Sequence, residues 1–194
     1  MSVSHDIDRE DEFLEYAFRE ALIERGVLTQ AELDARVEFM YAREASFGKR
    51  VVARAWLDRE FRDRLIADGS AAVREMGIEI GTLKLVVVEN TPEVHNLIVC
   101  TLCSCYPRML LGMAPDWYKS IAYRSRAVRE PRAVLAEFGV HLAPGRSVRV
   151  HDSTAEMRYL VLPMRPPGTE GFDETRLAAI VTRDSMVGVE ELYA

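Results

Sequence analysis

Cysteine is scarce in this sequence and is missing from all but one short segment. Only three of the 194 residues are cysteines, and all three occur within CTLCSC, residues 100–105. An odd number of cysteines in one cluster does not fit the disulfide framework of a small secreted domain, because each bridge uses two sulfurs. The N-terminal segment MSVSHDIDREDEFLEYAF also lacks the basic start and the apolar stretch of a signal peptide. We therefore expect a cytoplasmic protein without disulfide cross-links.

Long apolar runs and an excess of positive charge are absent as well. No segment approaches the run of about 18 apolar residues that a membrane-spanning helix needs. The formal net charge of −6 argues against non-specific binding to nucleic acid or to an anionic membrane. Hydrophobic residues make up 48% of the sequence and charged residues 29%, which is an ordinary globular balance. The composition therefore predicts a soluble globular protein of one or two domains.

The hydrophobic pattern divides the chain into a helical part and a mixed part. Helical spacing dominates residues 1–75, where Thr29 and Glu32 make a capping box. Beyond it, short apolar runs predict two pairs of strands, at 83–88 with 96–100 and at 147–151 with 157–163, and helices at 115–125, 130–138 and 173–182. The prediction is an α+β fold, with a helical N-terminal arm (1–75) that wraps a partner and a compact domain (76–194). The arm is assigned to a partner because its amphipathic helices have few places to bury within a small core.

The cysteine cluster has several interpretations. Free cysteines are often buried apolar residues, but three within six positions are too concentrated for that explanation to be sufficient. A structural zinc module would need a fourth ligand, and no second Cys-x-x-Cys hook exists, which leaves only the four histidines: His5, His95, His141 and His151. An iron–sulfur cluster would likewise need a fourth cysteine or a substitute.

The tripeptide Cys103-Ser104-Cys105 offers a different ligand set. Two thiolates one residue apart bring the amide nitrogens of Ser104 and Cys105 between them, so a strongly polarising trivalent metal could take two sulfurs and two nitrogens in a plane. Cys100 could then bind from one axial side and leave the opposite position open for water or substrate, as a catalytic metal requires. Such strong-field ligation suits cobalt or iron better than zinc.

The segment CTLCSC resembles the metal-binding motif of the nitrile hydratase α subunit in its cobalt version. The resemblance extends over most of the chain, through VVARAW (51–56), VVVENTPEVHN (86–96), PDWYKS (115–120), YRSRAVREPRAVLAEFG (123–139), DSTAEMRYLVLPMRPPGTEG (152–171) and VTRDSMVG (181–188). Close relatives in the same superfamily are specialised three-subunit members, such as the toyocamycin nitrile hydratase, and the γ subunit of thiocyanate hydrolase.

The resemblance implies a layered α-β-β-α domain and hydration of a nitrile to an amide at a non-corrin Co(III) centre, with iron as the alternative metal. The implied ligands are the sulfurs of Cys100, Cys103 and Cys105 and the backbone nitrogens of Ser104 and Cys105. It also implies that Cys103 is oxidised to sulfinate and Cys105 to sulfenate, which makes these two residues and Ser104 the candidate catalytic residues. Either water activated at the metal or the sulfenate oxygen attacks the nitrile carbon.

The resemblance further implies partners and exposes one departure from the family pattern. A β-type subunit, split into two chains in three-subunit members, contributes arginines that hold the oxidised sulfurs, and an activator protein delivers cobalt. Many relatives read CYPWPVLG where this chain reads CYPRMLLG (105–112). We therefore expect Arg108 to favour a larger polar nitrile, or the anionic substrate of a thiocyanate hydrolase. Trp117 and Tyr118 are further candidate substrate contacts, with packing as their alternative role.

Charged residues near the motif carry weaker expectations. Asp152 and Glu156 flank a predicted strand and could bind a partner subunit or order water, although exposed or ion-paired carboxylates are the simpler interpretation. The arginines of the segment 123–139, which include Arg124, are expected to form a solvated or subunit-facing helix surface.

Overall fold

A computed structural model describes residues 4–42, 45–103 and 105–193. Contacts divide the chain into two compact units, Met1–Ala42 and Arg43–Ala194. None of the helices in the described ranges has both the length and the apolar character that crossing a membrane demands.

The first unit contains two helices, α1 (Ser4–Glu24) and α2 (Gln30–Ala42). The capping box between them is confirmed: the Thr29 amide donates to Glu32 Oε2 at 2.8 Å, and the Glu32 amide donates to Thr29 Oγ1 at 3.2 Å. Phe13 and Phe18 on α1 are 72% and 67% exposed.

The second unit begins with three helices that pack on one another: α3 (Ser46–Leu57), α4 (Arg59–Ala67) and α5 (Gly69–Glu75). Asp58 separates α3 from α4, and Asp68 separates α4 from α5. Each carboxylate caps the helix that follows it: Asp58 accepts a hydrogen bond from the Phe61 amide at 2.9 Å, and Asp68 accepts one from the Ala71 amide at 3.0 Å. By contacts these helices belong with the rest of 43–194. The functional division into a partner-wrapping arm (1–75) and a catalytic domain (76–194) stays a prediction.

Four strands form the centre of the second unit: β1 (Lys84–Glu89), β2 (Val94–Val99), β3 (Ser147–Asp152) and β4 (Met157–Leu162). The α+β class is confirmed, but the expected pairing of strands adjacent in sequence is wrong. β1 pairs in parallel with β4, and β2 pairs in parallel with β3. β2 is buried almost throughout because it contacts β1 and β4 as well as its partner β3, which is itself mostly exposed or half-buried.

Further short helices follow the cysteine segment in the second unit. They are α6 (Arg108–Leu111), α7 (Asp116–Lys119), α8 (Ile121–Arg129), α9 (Pro131–Glu137), α10 (Glu174–Ile180) and α11 (Arg183–Val187). The single helix expected at 115–125 is two helices, because Ser120 is extended and its hydroxyl accepts the amide hydrogen of Tyr123 at 3.1 Å, which starts α8. α8 packs against β2.

Gly188, which follows α11, is required by its surroundings. Its φ of +95° lies in the left-handed region, and a Cβ at this position would lie 2.0 Å from the carbonyl oxygen of Asn96. The glycine therefore allows the end of α11 to lie directly against β2.

Candidate metal centre

The three cysteine sulfurs come together in the segment that follows β2. The Sγ atoms of Cys100 and Cys103 are 3.4 Å apart and those of Cys103 and Cys105 are 3.2 Å apart, and all three lie within 4.8 Å of one another. Cys100 is fully buried and Cys105 is 9% exposed, whereas Cys103 faces solvent. The segment 100–105 (the cysteine loop) therefore presents a three-sulfur donor set with one open side.

Side chains from other elements hold the backbone of the cysteine loop. The Asp152 carboxylate, at the end of β3, accepts hydrogen bonds from the Thr101 amide at 2.9 Å and from the Thr101 hydroxyl at 2.5 Å. Arg124 of α8 donates from a terminal guanidinium nitrogen to the Cys103 carbonyl at 3.0 Å. The hydroxyl of Tyr118 donates to the Cys105 carbonyl at 2.9 Å. The loop is thus anchored at three successive points.

Within the loop, the Cys103 amide donates a hydrogen bond to Cys100 Sγ at 3.3 Å. Ser104 lies outside the described residues, so the predicted ligation by its backbone nitrogen, and any part it takes in catalysis, stay predictions.

Burial controls the protonation of Cys105. Desolvation, the largest cause, and the hydrogen bond with the Cys103 sulfur raise the pKa of the Cys105 thiol to about 12, and the charge of Arg158 opposes this rise. The isolated thiol therefore keeps its proton at neutral pH, and a metal that binds the thiolate must displace that proton.

The donor set does not fit a structural zinc site. In the described ranges, the three cysteines form the group with metal-ligand geometry, and no histidine or carboxylate joins it. His95 is instead buried with Nε2 2.7 Å from the Gly188 carbonyl oxygen, so this nitrogen donates to a backbone acceptor. His151 Nε2 lies 2.8 Å from Asn96 Oδ1. A structural zinc site has four protein ligands, and the described residues bring three together here.

The three candidate substrate contacts occupy different environments. Tyr118 is fully buried. Trp117 is partly buried. Its ring packs edge-to-face against the rings of Tyr123 and Phe138, with 4.9 Å between ring centroids in both pairs. Arg108 is exposed at the first position of α6. The burial of the two aromatic residues is what the packing alternative requires, and their contact with substrate remains a prediction.

A hollow of about 390 Å³ lies beside the loop, and Thr101, Ile121, Arg124, Ser125, Val128 and Arg129 line it. Two clefts of about 450 and 330 Å³ lie elsewhere, and Pro163 and Arg165 line both of them. They contain none of the cysteines and are not part of this site.

The pattern of charged residues in the sequence did not distinguish the two that contact the loop. Arg126 forms ion pairs with Glu130 at 2.7 Å and Glu137 at 2.5 Å, as expected of a solvated helix surface. Arg124, two positions earlier, contacts the Cys103 backbone instead. Asp152 is exposed, as its simpler interpretation predicts, but its hydrogen bonds to Thr101 had no signal in the sequence.

The sequence and the fold both match known proteins. The family model described as nitrile hydratase, alpha chain, matches residues 9–190. The cobalt-containing nitrile hydratase subunit alpha of Pseudonocardia thermophila is 50% identical over 184 residues, which cover 92% of this chain and 89% of that subunit. The thiocyanate hydrolase subunit gamma of Thiobacillus thioparus is 42% identical over 190 residues, which cover 92% of this chain and 78% of that subunit. A double mutant of the Fe-type nitrile hydratase from Comamonas testosteroni Ni1 superposes with a TM-score of 0.87 at 39% identity, covering 100% of this chain and 93% of that one.

Proposed function

Because the chain belongs to the nitrile hydratase α-chain family, we propose that it is the metal-binding subunit of a cobalt nitrile hydratase, which adds water to a nitrile to give the amide. The observation that carries the proposal is the convergence of the three sulfurs within 4.8 Å, with no fourth side-chain ligand among the described residues. A relative of about half identity is named as cobalt-containing, which supports cobalt over iron.

The donor set fits such a metal without rearrangement of the described sulfurs. Cys100, Cys103 and Cys105 would hold it through sulfur, and the backbone nitrogens of Ser104 and Cys105 complete the proposed ligand set. When bound, the metal supplies Lewis acidity toward a nitrile or water. The buried Cys100 closes the inner side of the site, and the solvent-facing Cys103 leaves the outer side for substrate.

The different exposures of the residues Cys103 and Cys105 support the proposed oxidation states. Oxidation of a cysteine follows its accessibility as well as its thiolate character. Cys103 is open to solvent, which suits the higher state, sulfinate, whereas the 9% exposed Cys105 suits the lower state, sulfenate. The sulfenate oxygen of Cys105 is the proposed nucleophile or base.

Partner subunits are part of the proposal. A site that excludes bulk water needs a cover over Cys103, which is exposed in the single chain. We assign this cover, and the arginines that hold the oxidised sulfurs, to a β-type subunit, in one chain or two. An activator protein that delivers cobalt completes the set of partners.

Arg108 bears on the substrate and supports a second candidate function. An exposed guanidinium three positions after Cys105 favours a polar or anionic substrate over a small apolar nitrile. A larger polar nitrile remains the first proposal. The γ subunit of a thiocyanate hydrolase is the second, because the likeness to such a subunit extends over 190 residues.

The test is to co-express the full chain with a β-type subunit and an activator protein from the same organism, and to measure metal content, intact mass and turnover. Cobalt, a mass gain of three oxygen atoms (two for sulfinate and one for sulfenate) and amide production support the first proposal. The same metal and mass with thiocyanate consumption and no amide production supports the second. Zinc with reduced cysteines contradicts both.

A further inference from the structure

In the cysteine loop the three sulfurs lie within 4.8 Å of one another, and two charged side chains from separate elements contact the residues of this loop. Asp152 accepts both the amide and the hydroxyl hydrogen of Thr101, the residue directly after Cys100. A carboxylate that accepts two hydrogen bonds from one residue fixes the position and the orientation of that residue together.

Arg124 holds the other half of the loop. One terminal nitrogen donates to the Cys103 carbonyl at 3.0 Å, while its Nε is buried and has no hydrogen-bond partner among the described residues. The side chain therefore brings a positive charge and an unused buried donor to the cysteine whose sulfur lies between the other two. Charge-assisted hydrogen bonds of this kind are stronger than neutral ones.

We propose that Asp152 and Arg124 are positioning residues, which hold the cysteine loop in its metal-binding conformation before metal binds and thereby set the cobalt affinity of the chain. This inference depends on the proposed cobalt site. Neither side chain is a metal ligand, since each acts on the backbone or hydroxyl of the loop. A loop fixed in advance loses less conformational entropy when the three sulfurs bind one ion.

The two residues contribute differently. The Asp152 carboxylate is occupied by Thr101, so its role is geometric. Arg124 also offsets the negative charge that accumulates when three thiols lose their protons to a metal. Replacing Arg124 by lysine therefore keeps the charge but loses the planar guanidinium that reaches the carbonyl, whereas glutamine loses both.

The experiment titrates the full-length metal-free chain with Co²⁺ under anaerobic conditions and follows sulfur-to-cobalt charge-transfer absorption. The variants are Asp152→Asn, Arg124→Gln and Arg124→Lys. The matched controls are Asp63→Asn and Arg59→Gln on α4, which share one exposed ion pair at 4.0 Å. Loss of a residue that orients a metal ligand weakens metal affinity by about 10- to 100-fold. We expect that loss in D152N and R124Q, a smaller loss in R124K, and wild-type affinity in both controls.

Folding is checked separately by urea unfolding of each metal-free variant. The two residues that these side chains contact, Thr101 and Cys103, are exposed, so we expect the unfolding midpoints to remain close to those of the controls. Should D152N fail to fold, Thr101→Val replaces it, because it removes the hydroxyl donor and retains the amide.

Each outcome decides a separate question. Wild-type cobalt affinity and an unchanged spectrum in D152N, or in R124Q, overturn the assignment of that residue while leaving the proposed function intact. Failure of the wild-type chain to bind cobalt on its own overturns this inference, whereas the absence of cobalt from the co-expressed complex overturns the proposed function itself.

Discussion

The hydroxyl of Tyr123 donates a hydrogen bond to the carbonyl oxygen of Ile98 at 2.6 Å, and this bond ties α8 to the strand that leads into the cysteine loop. Tyr123 is 6% exposed and Ile98 is fully buried. The donor and the acceptor are therefore both shielded from water, so neither can replace the bond with one to solvent.

Tyr123→Phe should destabilise the protein measurably. The substitution leaves the Ile98 carbonyl without this donor in a buried position, which costs about 1–3 kcal/mol in the free energy of unfolding. Urea unfolding of the full chain measures the loss. Tyr16→Phe, at a 54% exposed position on α1, is the control and should change the stability by less than about 0.5 kcal/mol. Equal stability of the two variants would contradict the argument.

Arg108→Trp should change substrate preference and leave the metal in place. An exposed charge contributes up to about 1 kcal/mol to binding an opposite charge, so KM for an anionic substrate should rise by about fivefold or less. KM for an aromatic nitrile should fall, because the indole adds apolar contact. Steady-state kinetics with both substrate classes on the co-expressed complex test this. An unchanged KM for both classes would remove Arg108 from the substrate site.

Acidification should weaken the fold through two histidines. Burial, the largest cause, lowers the pKa of His95, and the charge of Arg146 lowers it further. Burial and the charge of Arg149 lower the pKa of His151. Both are held neutral in the folded state, so the unfolded chain binds more protons below about pH 6.5. Stability is therefore complete above that pH and is lost as the pH falls toward the lowered folded-state values.

Urea unfolding at about pH 7.5 and about pH 5.5 measures this loss. The contribution of His95 between these two pH values is at most about 1.4 kcal/mol, the value for one proton over one pH unit. His95→Gln keeps an N–H group that can donate to the Gly188 carbonyl and removes the titration, so its stability should depend less on pH. A pH dependence as steep as that of the wild-type chain would contradict the assignment.

Gly188→Ala should be among the most damaging single substitutions. A Cβ there would lie 2.0 Å from Asn96 O, and the left-handed backbone adds a penalty of about 1–2 kcal/mol. The expected result is a loss of more than about 3 kcal/mol or failure to fold. Gly81→Ala is the matched control, because Gly81 has a φ of +63° with no atom within 4 Å of its Cβ position. It should cost only the backbone penalty, so similar losses in the two variants would show that the clash is absorbed.

Features with a local origin could be predicted from the sequence. The Thr29–Glu32 capping box and the four strands lie where the pattern placed them, within about two residues, because caps and apolar runs depend on neighbours along the chain. The proximity of the three sulfurs also followed from their spacing.

Features that depend on distant residues could not be predicted. The parallel pairing of β1 with β4 and of β2 with β3 joins residues more than fifty positions apart in the sequence, and the short connections within each expected pair gave no sign of it. Asp152 and Arg124 act on backbone atoms of the loop, and a backbone amide or carbonyl has no letter in the sequence.

The register of β2 with β3, which pairs Val99 with Asp152, also governs when the site can exist during synthesis. Thr101 and Asp152 are 51 positions apart, so a nascent chain that has just released its cysteines from the ribosome still lacks the strand and the carboxylate that shape them. Closing so long a loop has an entropic cost that is recovered only when the strands pair. The anchored form of the loop therefore exists only after β3 has emerged, and the proposed activator protein would meet a folded target only from that point on.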